Sequence, residues 1–97
     1  MMDDANKVID KLQRIKPYLQ RAYAVKRVGL FGSVARGTYT DNSDVDIMVE
    51  FEHPVGIEFV DLSYLLEKEL NKKVDVVSFK GIKEKYLEEI EKDIIYV

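Results

Sequence analysis

Residues 28–51 read VGLFGSVARGTYTDNSDVDIMVEF, and they contain two strands with a turn between them. From Asp44 to Phe51 apolar and polar positions alternate: Val45, Ile47, Val49 and Phe51 point one way, Asp44, Asp46, Met48 and Glu50 the other. A period of two belongs to a strand with one buried face. One face is therefore core, and the other begins with two carboxylates. Upstream, Lys26 to Phe31 is short, apolar and β-branched and stops at Gly32-Ser33, which reads as a buried strand ended by a turn.

Helical periods flank this pair. Between Asp3 and about Tyr23, residues Val8, Ile9, Leu12, Ile15 and Leu19 form one apolar stripe, with Asp3 or Asp4 available as a cap. Pro17 has no N–H to donate, so the helix is expected to kink or restart near Lys16. After a turn at His53-Pro54, Ile57 to Leu70 places Phe59, Leu62, Leu65, Leu66 and Leu70 at helical spacing, and Asn71 supplies a stop. Lys73 to Phe79 is a third short strand carrying Asp75. A last helix from about Ile82 to Asp93 presents Ile82, Tyr86, Leu87 and Ile90, and the apolar tail Ile94 to Val97 is expected to dock. The order predicts one α/β (α+β) domain over residues 1–97: a small, three-stranded mixed sheet with helices packed on one face.

Composition narrows the function. With 97 residues, 46% hydrophobic and 34% charged, the chain has room for one core and one site. A net charge of −3 argues against gripping long nucleic acid, whose affinity comes from neutralised phosphates. No stretch approaches the roughly 18 apolar residues of a membrane span, and the acidic N-terminus does not read as a targeting segment. The absence of cysteine excludes disulfides and thiolate zinc and is compatible with a cytoplasmic location.

The chemistry gathers at one sheet edge. A strand–helix–strand unit from Asp44 to Phe79 is expected to cross over right-handedly, making its strands parallel and bringing Asp75 to the end where Asp44 and Asp46 lie. An antiparallel first strand delivers Gly32-Ser33 to the same edge. Carboxylates two residues apart on a strand lie roughly 6–7 Å apart, close enough to hold a metal ion between them. Oxygen ligands without His or Cys suit Mg²⁺ shared with substrate phosphates. Three carboxylates allow two ions, one at the attacking oxygen and one at the leaving pyrophosphate. Gly32 leaves room for phosphate to approach backbone, Ser33 offers a hydroxyl and an N–H, and Gly37 lets the chain turn out again. Arg36 is placed either to fork onto phosphate or to pair with an acidic side chain such as Asp44.

Residues 28–51, with Gly-Ser, ten intervening residues, Asp-x-Asp and then Asp75 after a helix, resemble the signature of the polymerase-β-like nucleotidyltransferase superfamily. The GSVARG form resembles its minimal nucleotidyltransferase branch, and the resemblance covers nearly the whole chain. It implies a polymerase-β-like fold and transfer of AMP from ATP to a hydroxyl. Asp44 and Asp46 would hold two Mg²⁺ ions, and Asp75 would complete the metal site and orient or deprotonate the acceptor. It further implies an antitoxin role, with a helical HEPN-type ribonuclease toxin as partner in a hetero-oligomer, silenced by AMP on a tyrosine. A binding module that neutralises its partner by contact, and a transferase acting on a small molecule, are the other readings.

Several residues carry plainer expectations. His53 reads as a surface turn residue. Lys72, Lys73, Lys80, Lys83 and Lys85 read as a solvated face, and Tyr39 as a partly buried loop aromatic or a contact for a base or partner. The stripe of Ile57 to Leu70 is core, with some of it available to a partner.

Overall fold

The computed structural model describes residues 4–40 and 42–97. Helix α1 (Asp4–Tyr23) runs through Pro17 without the expected restart. Its stripe explains why: Val8 and Leu12 before the proline and Leu19 after it are all buried in one cluster. Packing of both halves offsets the hydrogen bond that the Gln13 carbonyl loses. Asp3, one of the two proposed caps, lies outside the described residues.

Strand β1 (Val25–Phe31) leads into a four-residue helix α2 (Ser33–Arg36). Strand β2 (Val45–Phe51) follows, then helix α3 (Glu58–Leu70) and strand β3 (Val74–Ser78). A 3₁₀ turn (Phe79–Gly81) precedes helix α4 (Glu84–Glu91) and strand β4 (Ile95–Tyr96). Asn71 stops α3 in the left-handed conformation, φ 53°, where Asn is tolerated better than most residues. Among the described residues no helix is long and apolar enough to cross a membrane.

The sheet has four strands in the order β3-β2-β1-β4. β2 pairs antiparallel with β1 and parallel with β3, as the crossover requires. Three strands were expected; the tail supplies the fourth, pairing Gly29 with Tyr96 and Leu30 with Ile95. Val97 N donates to Val28 O at 2.9 Å, and Lys16 Nζ donates to Val97 O at 2.5 Å. Arg27 stacks between the Tyr96 ring, 4.9 Å away, and the Phe79 ring at 5.3 Å, while its Nε donates to Glu50 at 2.7 Å. A two-residue strand is visible in sequence only as an apolar tail, because its pairing partner lies more than sixty residues upstream.

α1 and α3 cover one face of the sheet. There Val28, Leu30, Val45, Ile47 and Val49 meet Val8, Leu12, Leu19, Leu62, Leu66 and Leu70, all buried. Alternation in β2 decided this face correctly, yet Met48 on the other face is buried too. Gly29, its cross-strand partner, lies against the tail: a Cβ there would stand 2.8 Å from Ile94 Cγ1. α4 differs from expectation. Ile82 precedes the helix, no α4 residue is buried, and Tyr86 is 69% exposed. Ile57, just before α3, and Val60 and Tyr64 on it are likewise exposed.

The contact at Gly29 gives a first prediction. Gly29→Ala should push Ile94 aside and destabilise the fold by about 1–3 kcal/mol, the usual cost of overpacking. Amide hydrogen exchange at Val97 should accelerate more than exchange in β2; equal protection in both forms would show that the tail does not depend on this contact.

Candidate active site

Three paired residues define a row across the sheet. Phe31, the last residue of β1, lies opposite Asp46, and Asp46 lies opposite Asp75 of β3. Residues opposite one another in paired strands project to the same face, with strands about 4.8 Å apart. The carboxylates of Asp46 and Asp75 therefore leave the same face from adjacent strands. Asp44 stands just before β2, which begins at Val45 rather than at Asp44, and it is exposed, as is Asp75; Asp46 is half-buried.

The turn closes onto this row. Gly32 adopts φ 68° and ψ −140°, a combination that side chains strongly disfavour. A Cβ built there would collide with the Asp46 carboxylate and lie 3.0 Å from its Cγ. Glycine is thus required twice, by conformation and by space. Beyond it Ser33 opens α2 and is half-buried; Arg36 N donates to Gly32 O and Thr38 N to Ser33 O, each at 3.0 Å. The Gly-Ser turn is a fixed loop beside a carboxylate.

Charge is concentrated there. Burial, then Asp75, then Asp44 push the Asp46 carboxyl above its ordinary value, and Arg36 opposes them. Arg36 is exposed and makes no ion pair among the described residues. Its influence on Asp46 is through space, which leaves its guanidinium available at the turn. The donor set is carboxylate oxygen strung along an edge. Among the described residues, no three His, Cys, Asp or Glu side chains gather into a cage for a metal ion. Asp46 and Asp75, opposite one another on neighbouring strands, are the kind of carboxylates taken by an ion that completes its shell with phosphate oxygens and water.

Beside Asp75 lies a hollow of about 540 Å³ lined by Phe31, Val77, Ser78, Gly81, Ile82, Lys83, Tyr86 and Ile90. The sequence presented Ile82, Tyr86 and Ile90 on a last helix without placing them beside the carboxylates. No sequence signal gave that position, because the helical period runs on from Ile82 while the helix itself begins only at Glu84. Tyr39 is a half-buried loop aromatic packed against the core, with Lys72 Nζ 5.6 Å from its ring. Its hydroxyl has no hydrogen-bond partner among the described residues. His53 is exposed, its Nδ1 3.1 Å from Pro54 O, at the far end of β2 from the carboxylates.

A Gly-Ser turn held against carboxylates paired across a mixed sheet is the arrangement of a nucleotidyl-transfer enzyme. The chain belongs to the nucleotidyltransferase domain family, which matches residues 12–97, and within it to the minimal nucleotidyltransferase branch. A Methanocaldococcus jannaschii chain named as a candidate protein adenylyltransferase is 42% identical over 100 residues, covering 99% of this chain and all of its own. The solved structure of a candidate minimal nucleotidyltransferase superposes with a TM-score of 0.83 at 30% identity, covering 97% of this chain and 95% of that one. The crystal structure of a toxin-antitoxin with AMP-PNP matches at a TM-score of 0.70 and 26% identity, covering 95% of this chain and 70% of that chain.

Proposed function

We propose that residues 1–97 act as one minimal nucleotidyltransferase domain that transfers AMP from ATP to a tyrosine hydroxyl of a HEPN-type toxin, serving as its antitoxin. The observation that carries this reading is the Phe31–Asp46–Asp75 row, which sets the Gly32-Ser33 turn and the carboxylates at one edge. Relatives named for protein adenylylation and for a toxin-antitoxin with a bound nucleotide analogue support the substrate and partner classes. The same reading gives a hetero-oligomer and a cytoplasmic setting, where ATP is at hand.

Each side chain has a task. Gly32 admits a phosphate against the backbone, the Ser33 hydroxyl and N–H donate to its oxygens, and Arg36 forks onto the remaining ones. Asp44, Asp46 and Asp75 would hold two Mg²⁺ ions, which when bound supply positive charge at the attacked phosphate and the leaving pyrophosphate. Asp75, the outermost carboxylate of the row, orients the acceptor hydroxyl and takes its proton. Fixed donors around the developing charge, rather than covalent chemistry by the protein, supply the acceleration.

The test is intact-protein mass spectrometry of the HEPN-type protein encoded beside this one, incubated with this chain, ATP and Mg²⁺. Mass gains in whole AMP units are expected. A stable complex without any gain would instead make the chain a module that neutralises its partner by contact.

A further inference from the structure

The reaction geometry gives the hollow beside Asp75 an occupant. Across the sheet the order is fixed: the Gly32-Ser33 turn at the end of β1, Asp46 on β2, Asp75 on β3. With the leaving pyrophosphate at the turn and the attacked phosphorus at Asp46, in-line displacement puts the attacking oxygen on the opposite side, over β3. An oxygen held there by Asp75 has the hollow behind it. Phe31 and Val77 form its floor; Ile82, Tyr86 and Ile90 stand along α4 and its approach, with Lys83 at the edge. These are apolar surfaces for a flat apolar ring. The polar side chains of the lining are Asp75, Ser78 and Lys83, beside the hydroxyl of Tyr86.

We infer that this hollow seats the aromatic ring of the acceptor, and that Phe31, Val77, Ile82 and Tyr86 select a phenol over an aliphatic hydroxyl. The inference rests on the AMP-transfer reading above. In the step it serves, the phenol oxygen bonds to the α-phosphorus of ATP. The bond from that phosphorus to the bridging oxygen of pyrophosphate breaks, pyrophosphate leaves with the electron pair, and the phenolic proton passes to Asp75. A serine or threonine hydroxyl reaching the same point leaves the apolar walls uncovered.

Two measurements decide it. In ¹⁵N-labelled protein with Mg²⁺ and α,β-methylene-ATP, whose bridging carbon blocks transfer, N-acetyl-tyrosinamide should shift the amides of Val77, Gly81, Ile82 and Tyr86. N-acetyl-serinamide should leave them in place. In the transfer assay, Ile82→Ala/Tyr86→Ala should raise the KM for the acceptor protein about tenfold and change the KM for ATP less than about twofold. Neither side chain is buried, so the variant is expected to fold, which its thermal melt checks. A rise in the KM for ATP alone would assign the hollow to the base and overturn the inference, as would equal shifts with both amides. If wild type transfers AMP to no acceptor, the function reading falls, and the amide titration still decides whether the hollow takes a phenol.

Discussion

Asp46→Asn is expected to lower AMP transfer about 10³-fold, equivalent to roughly 4 kcal/mol of transition-state stabilisation, because it removes a central carboxylate of the row. The same change should stabilise the protein when no metal is present. Burial and the charges of Asp75 and Asp44 hold the Asp46 carboxyl above its ordinary value of 3.8, so folding disfavours its charged form. A raised folded-state value means that the native state binds more protons than the unfolded one. Stability is then fully present below the ordinary value and declines as pH rises through the folded one. Asn escapes that penalty: in chelator the variant should melt higher than wild type at pH 7, and the two should converge below about pH 4. Added Mg²⁺ should reverse the order by stabilising wild type through binding while moving the variant little. A variant that melts lower than wild type in chelator at pH 7 would show that Asp46 is held by favourable contacts and not by charge crowding.

Gly32→Ala should damage both fold and chemistry. At φ 68° and ψ −140° the added side chain costs about 1–3 kcal/mol in backbone strain alone, and a domain of this size loses roughly 4–8 °C of Tm per kcal/mol. The new Cβ also meets the Asp46 carboxylate, so that side chain must rotate or the turn must open, displacing the turn from the carboxylate. A shift of that kind is expected to lower transfer about 10²-fold. A double-mutant cycle separates the two causes. In an Asp46→Ala background the collision is gone while the strain remains, so Gly32→Ala should cost less there by about 0.5–3 kcal/mol. Strict additivity would mean that the turn and Asp46 do not touch in solution.

The candidate site was largely legible because its parts sit at local boundaries. Gly32-Ser33 ends one apolar run, and Asp44 and Asp46 start the next, so the strand period alone puts the pair on one face. Asp75 followed from a rule of topology, since a parallel crossover brings strand starts to the same edge, and the register Asp46 opposite Asp75 fulfils it. Other expectations missed for reasons that no local pattern shows. Of the kink or restart expected near Pro17, α1 shows no restart, because buried residues on both sides of it outweigh one absent hydrogen bond. Gly29 read as an ordinary strand position until the tail lay against it, and the burial of Met48 on the same face was not expected. The last helix was expected from about Ile82 and begins at Glu84, leaving Ile82 on its approach.

From its sequence alone this protein has its elements, the buried face of its central strand, its Gly32-Ser33 turn and its membership of the nucleotidyltransferase signature, because each depends on neighbours within a few turns or strand residues. Tertiary structure alone decided the fourth strand, the collision that excludes any side chain at Gly32, the burial and charge crowding of Asp46 and the hollow beside Asp75. Each of these depends on segments tens of residues apart brought together by the summed packing of the core. A periodicity records which side of an element is apolar; what comes to lie against that side is settled only when the whole chain closes.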